Sequence, residues 1–395
     1  MADSYPLIEA EHPYLQWDQG YTSSMLDGWS EFTLYGIAIN EDAPGTAFEK
    51  AMMMYFIDTY GLDRDASVLQ YARYPDEYFE QSIYPRYWNG VVIFMKLLLL
   101  FFNIPDIRMI NMFIQFALLA WIIALMVHNG LHKHLVPFIT AILFINPITM
   151  AMSVVFSAEY YPMLISIIVI LIYGKEIDKL EGGWKIFFAV VGAVTSFFCF
   201  LSSPGITLGV PLVVLLWFLG EKNVTKTVIS SSLYWVGGYA LTWVIKWIIC
   251  TLFTEHNLIE NAINQMTMYE DTANPGNSGA SFIDRLMKNL WVYKTPAFIL
   301  LFAAAVVLTV VMAFVYMKKK DDQRDVIAAG SKMELLDRII GYGLVAMIPF
   351  AILIGLGNGY AYVHYFMAHR QLSIAALAAL CVVNVLVMSL SKRKK

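Results

Sequence analysis

Apolar runs recur along this chain, and several approach or exceed the roughly 20 residues that a helix needs to cross a bilayer core. They constrain the fold more than any other feature. Nine spans are expected, at about 109–127, 134–152, 160–173, 184–201, 206–220, 228–253, 295–316, 338–356 and 371–391. Only 15% of the residues are charged, where a soluble domain carries about 25%. The expected fold is therefore all-α, a polytopic helical membrane protein. The third and fifth spans read as short, and Pro204 and Pro211 flank or enter the fifth. Short or broken spans tend to line cavities. Residues 91–102, VVIFMKLLLLFF, are apolar apart from Lys96. Twelve residues of helix rise only about 18 Å, too little for a core of about 30 Å. This segment reads as an interfacial or re-entrant helix.

The first 88 residues differ from the rest. They hold 15 acidic residues, four basic ones (Lys50, Arg64, Arg73 and Arg86) and 11 of the 23 tyrosines. Their aromatic content argues for a folded, water-facing helical head rather than a disordered tail. TAFEKAMMMYFIDTYG reads as a short amphipathic helix, and Pro75 and Pro85 punctuate a turn-rich stretch. The expected organisation is a head at 1–88, an interfacial helix at 89–108, a first bundle at 109–253, a loop at 254–294 and C-terminal helices at 295–395. Cys199, Cys250 and Cys381 lie inside apolar runs, which excludes a disulfide framework or a CxxC metal motif.

Charge asymmetry gives the orientation. With the head outside, the inner loops are HNGLHKH, GKEIDKLEGGWK, EKNVTK, residues 318–338 and the tail SKRKK. Together these hold 16 of the 27 Lys and Arg residues, as the positive-inside rule requires. The chain is expected in the cytoplasmic membrane with an extracytoplasmic head and loop 254–294. No internal repeat is evident, which weakens a transporter reading. There is no P-loop, no GxGxxG after a strand and no HExxH. No nucleic-acid partner is expected.

Three features on the outer face could carry chemistry. In LDGWSEFTLYG, Asp27 and Glu31 are four residues apart and share a face if the segment is helical. A carboxylate there could serve as general base on a hydroxyl; equally, Asp27 caps a helix and Glu31 is solvated. Lys246, in YALTWVIKWIICTLF, lies about seven residues inside its span. A charge at that depth faces a cavity or partner, or snorkels outward between Trp243 and Trp247. Glu159 in FSAEYYP could be its partner, a second site carboxylate, or a helix N-terminal acid. The third feature is GNGYAYVHYFMAHRQLS, residues 357–373. Tyr362, His364, Tyr365, His369 and Arg370 crowd it, together with Tyr360. The tyrosines alone would make an ordinary aromatic belt, whereas arginine suits phosphate oxygens at headgroup depth. A divalent metal on His364 and His369 is conceivable from spacing, but no carboxylate lies near them in sequence.

The order of these pieces resembles the C-type (GT-C fold) integral-membrane glycosyltransferases. An acidic head precedes YPRYWNGVVIFMKLLLLFFNIPDIR and then paired short spans. RYWNG, FLSSPGITLGVPL, GGYALTWVIKW and YVHYFMAHR look like motifs of a group of bacterial membrane proteins with that architecture. The resemblance covers most of the chain from about residue 20. It implies a polyprenyl-phosphate-linked sugar as donor, an envelope glycan or lipid as acceptor, and membrane lipid as surroundings. It implies Asp27 as catalytic base, Glu159 as a second catalytic acid, and Arg370 as holder of the lipid phosphate. Lys246 and Glu31 would contact substrate. Superfamily members begin with a transmembrane helix before the acidic loop, whereas this chain starts in the head; the resemblance implies a truncated gene model or a shortened form. Competing expectations are an envelope-lipid transporter or flippase and a non-catalytic scaffold of an envelope complex.

Overall fold

A computed structural model describes residues 15–59, 61–270, 281–320, 332–355 and 358–391. Chain order gives α1 (Gly28–Ile39), α2 (Ala47–Met53), β1 (Tyr55–Ile57), α3 (Arg64–Arg73), β2 (Gln81–Ile83) and α4 (Val91–Leu99). Then come α5 (Ile104–His128), α6 (Leu135–Ile145), α7 (Pro147–Met152), α8 (Val154–Lys179), α9 (Gly183–Phe198), α10 (Gly205–Phe218) and α11 (Val224–Phe253). The remainder are α12 (Leu258–Glu270), α13 (Phe282–Trp291), α14 (Pro296–Lys320), α15 (Lys332–Gly355), α16 (Asn358–Val363), α17 (Tyr365–Ala368) and α18 (Ser373–Ser391).

Six described segments are long and apolar enough to cross a membrane: Ile104–His128, Val154–Lys179, Val224–Phe253, Pro296–Tyr316, Lys332–Gly355 and Tyr365–Ser389. This is the pattern of a multi-pass helical membrane protein. Three further apolar helices, α6, α9 and α10, have 11, 16 and 14 residues. At 1.5 Å per residue these rise about 16–24 Å, so length alone does not make them spans. The most enclosed is α10: every residue from Gly205 to Trp217 is buried. A helix that is apolar all round belongs inside a bundle, and α10 packs against α8, α9, α11, α15 and α18.

Several expected boundaries are corrected. The expected short span at 160–173 is a 26-residue helix, α8. Ser153 caps it by accepting from Phe156 N, and the helix runs on through Pro162. The expected span 134–152 is broken instead. Asn146 takes a left-handed conformation (φ 63°) and its side chain caps α7, so the chain turns between α6 and α7. Residue 109 is not the start of its span: α5 begins at Ile104 with a capping box of Asn103 and Asp106, which brings Arg108 into the helix. The head is not wholly helical. Met54 (φ 51°) ends α2, and the next residues form β1, paired antiparallel with β2 through Phe56 and Ser82. Loop 254–294 contains α12 and α13; its residues 271–280 fall outside the described set, as do residues 1–14 and 60 of the expected head, residues 321–331 and 392–395 of the expected inner segments, and residue 357 of the third sequence feature.

Cross-chain contacts define two ends of the bundle. At one end the carbonyl of Ser23 in the head accepts from Asn146 Nδ2 (3.1 Å), Thr149 Oγ1 (3.0 Å) and Arg370 Nη2 (3.0 Å). At the other, His134 stacks on Trp217 at 4.4 Å, Lys133 lies over Tyr316, and Asp337 accepts from Val224 N and Thr225 N at the start of α11. The head, α13 and residues 358–372 share the first end. The described basic residues Lys133, Lys175, Lys179, Lys185, Lys222, Lys226 and Arg338 lie in or beside the loops of the second.

Candidate functional site

The sequence-selected residues gather at the head end in three groups, each assembled by distant segments. The first surrounds α1. Asp27 is its N-cap, accepting from Ser30 N at 3.2 Å. Burial pushes its carboxyl up to about 6; the Ser30 hydrogen bonds and the Arg370 charge oppose that, while the Glu31 charge adds to it. Glu31, one turn on, is fully engaged. It pairs with Arg108 Nη2 at 3.0 Å and accepts from Tyr35 OH at 3.1 Å and Val154 N at 2.6 Å. It thus ties the head to the starts of α5 and α8. The solvated reading of Glu31 is corrected: the residue is 1% exposed.

The second group is centred on the break between α9 and α10. Glu159, wholly buried, accepts from Ser203 N and Ser203 Oγ, both at 2.6 Å, and from Cys199 Sγ at 2.6 Å. The carboxylate satisfies polar groups that the SSPG break would otherwise leave bare in the bundle. Glu159 and Lys246 form no ion pair. Lys246, also buried, donates to the carbonyl of Tyr87 and lies 5.6 Å from the Trp88 ring. Around it, Trp243 Nε1 and Trp247 Nε1 donate to Arg86 O at 2.7 and 3.2 Å, and Trp88 Nε1 donates to Thr242 O at 2.8 Å. The motifs RYWNG and ALTWVIKW therefore clasp one another. Snorkelling of Lys246 to the surface is excluded by its burial.

The third group is the segment 358–373. Arg370 is 0% exposed. Its Nη1 donates to Phe366 O (2.8 Å), Nη2 donates to Ser23 O (3.0 Å), and the guanidinium sits 4.3 Å from the Phe156 ring centroid. Asp27 and Glu159 are the carboxylates whose charge reaches it, yet neither makes an ion pair with it. Nε of Arg370 is buried without a partner, as are Gln371 Nε2, Ser202 Oγ, Tyr160 OH and Ser373 Oγ. Gln371 Oε1 accepts from Gly205 N at 3.3 Å, and Tyr360 OH donates to Leu201 O at 3.0 Å, which joins this segment to the α9–α10 break. A carbonyl can only accept, so the 3.0 Å contact of His369 Nδ1 with Tyr365 O assigns the hydrogen to Nδ1. His364 packs on the ring of Tyr360 at 4.4 Å. Tyr362 and Tyr365 turn to a cation that sequence reasoning did not select: Lys288 of α13 lies 3.7 and 4.5 Å from their centroids.

Among the described residues no group of three or more His, Cys, Asp or Glu is placed to hold a metal ion. What the arrangement holds is a buried guanidinium and a buried amide with unpartnered donors, and Asp27 among the carboxylates whose charge reaches that guanidinium. Buried donors without partners are costly unless something accepts from them. The partners Arg108, Ser203, Cys199 and Lys288 were missed because each lies far in sequence from the residue it serves. Only Arg108 gave a local signal, as a charge at the mouth of an apolar run. No family model, curated protein or solved structure matches the chain.

Proposed function

We propose that this chain is a membrane glycosyltransferase that moves a sugar from a polyprenyl-phosphate donor to an envelope glycan or lipid acceptor. The site is the buried polar group beneath the head. The positive-inside rule supports an extracytoplasmic position for that end, because the described basic loops collect at the other end. The observation that carries the reading is Arg370, a fully buried guanidinium with an unpartnered Nε and no ion pair, coupled in charge to Asp27.

The roles follow from chemistry. Asp27 takes the proton of the acceptor hydroxyl, and a carboxyl with a pKa near 6 suits a base working close to neutral pH. The acceptor oxygen bonds to the sugar's anomeric carbon as the bond from that carbon to the phosphate oxygen breaks. The phosphate departs on its lipid, its charge met by Arg370 and by the unpartnered Nε2 of Gln371. Glu159 supports the site by fixing the α9–α10 break rather than by touching the reacting atoms. One observation favours a scaffold instead: Glu31 and Glu159 are both committed to internal bonds.

The test is release of lipid phosphate by the purified full chain in vesicles carrying labelled polyprenyl-phosphate sugar. The expected result is turnover by the wild type and at least about 100-fold less by Asp27→Asn, the scale of general-base catalysis. Transbilayer movement of donor without sugar release points to the flippase reading. Neither activity, with the chain folded, points to the scaffold.

A further inference from the structure

α13, Phe282–Trp291, is built inside out for a helix facing water. Its inward stripe is polar: Arg285 and Asn289 are 6% and 0% exposed, and Asn289 Nδ2 donates to Ala361 O at 3.0 Å. Its outward stripe is apolar: Ile283, Met287, Leu290 and Trp291 are 67%, 49%, 40% and 60% exposed. These four fall at i, i+4, i+7 and i+8, one continuous face. The helix has a defined start, with Ser281 and Asp284 forming a reciprocal capping box. A surface helix in water buries its apolar stripe; this one turns that stripe away from the protein.

The neighbouring chain says what lies outside. α14 starts at Pro296, a few residues after α13 ends, and is one of the long apolar segments. Its first turn exposes Ile299 and Leu300, so the apolar surface continues from α13 onto a span. Trp291, with Lys294 stacked 3.7 Å from its ring centroid, stands at the junction, where amphipathic aromatics and lysines sit at a membrane surface.

We infer that α13 lies in the plane of the membrane, its Ile283–Met287–Leu290–Trp291 stripe sunk into the boundary between headgroups and acyl chains. This surface binds lipid, where the sequence reading gave only an extracytoplasmic loop. The inference rests on the helix itself and not on the glycosyltransferase reading. An interfacial helix of this kind buries its apolar face a few ångströms deep, in the range of about 5–10 Å. Lys288, on the flank, rests on Tyr362 and Tyr365 and so joins the helix to the segment that carries Arg370.

The experiment is site-directed spin labelling of the full chain in lipid vesicles. Single cysteines replace Ile283, Met287 and Leu290, with Tyr78→Cys, 90% exposed in the head, as the water control. All four positions are exposed, so the variants should fold, and the native Cys199, Cys250 and Cys381 are buried. Expected are collisions with oxygen well above those with a water-soluble nickel chelate at 283, 287 and 290, and the reverse at 78. Chelate collisions at 283, 287 and 290 equal to those at 78 would overturn the inference in favour of water. Labels at 283, 287 and 290 shielded from both reagents would overturn it in favour of a second protein surface.

Discussion

Four residues separate Asp27 from Glu31, and the tertiary structure gives them opposite duties. Glu31 holds Arg108, Tyr35 and the start of α8. Glu31→Ala breaks its buried pair with Arg108, and a loss of about 3–5 kcal/mol is expected in denaturant titrations; a loss below 1 kcal/mol would remove its anchoring role. Asp27 works differently. Its folded pKa of about 6 stands above its ordinary value of 3.8. The native state thus holds the proton more tightly than the unfolded one. The contribution of Asp27 to stability is fully present below about pH 4 and is lost as pH rises through about 6. Asp27→Asn keeps an oxygen to accept from Ser30 N and removes the buried charge. Its melting temperature should exceed that of the wild type at pH 8 and match it at pH 4. Parallel pH curves for the two proteins would refute this. Arg370→Ala should weaken binding of a phosphate-bearing lipid donor by about 2 kcal/mol, and leave binding of a donor analogue with a neutral linker unchanged. Equal losses for both analogues would reduce Arg370 to a shaping role at the helix end.

At the scale of elements, the crossing of α9 and α11 depends on two glycines. A Cβ on Gly192 of α9 would stand 2.1 Å from Trp235 O, and one on Gly238 of α11 would stand 1.9 Å from Ala189 O. Only glycine lets these backbones approach so closely, the use that membrane helices commonly make of small residues. Gly237, next in sequence, has open space around it. Gly238→Ala should force the helices apart and cost about 1–3 kcal/mol, whereas Gly237→Ala should be neutral or stabilise by about 0.5–1 kcal/mol. Equal melting temperatures for the two variants would contradict the close crossing. Enclosure explains why α10 can be short: every residue from Gly205 to Trp217 is buried, and Glu159 satisfies the polar break between α9 and α10.

For the whole molecule, the proposed orientation makes the head accessible from outside the cell. Tyr78 is 90% exposed in the head, and Lys179 is exposed beside the opposite end. A membrane-impermeant maleimide should label Tyr78→Cys in intact cells and Lys179→Cys only after permeabilisation. The reverse pattern would invert the topology and move the proposed site to the cytoplasmic side. The molecule is otherwise joined across its length by remote pairs. Ser23 O ties residues 146, 149 and 370 to one point of the head, and the RYWNG segment is gripped by α11.

The sequence by itself determined the class of structure, since long apolar runs leave helices as the economical way to satisfy the backbone in lipid. It also singled out Glu159, Lys246 and Arg370, because a charge inside or beside an apolar run is visible without coordinates, and Asp27 through its four-residue spacing from Glu31. Tertiary structure decided what each of them touches. Asp27 and Glu31 have equal local claims to be a base; burial against Arg108 and the start of α8 separates them. Lys246 and Glu159 could have been partners, but Lys246 lies on Tyr87 and Trp88 while Glu159 lies on Ser203 and Cys199. The turn at Asn146, the continuation of α8 through Pro162 and the outward apolar stripe of α13 also came from packing. Periodicity reports which residues share a face, and only the neighbours decide whether that face meets protein, water or lipid.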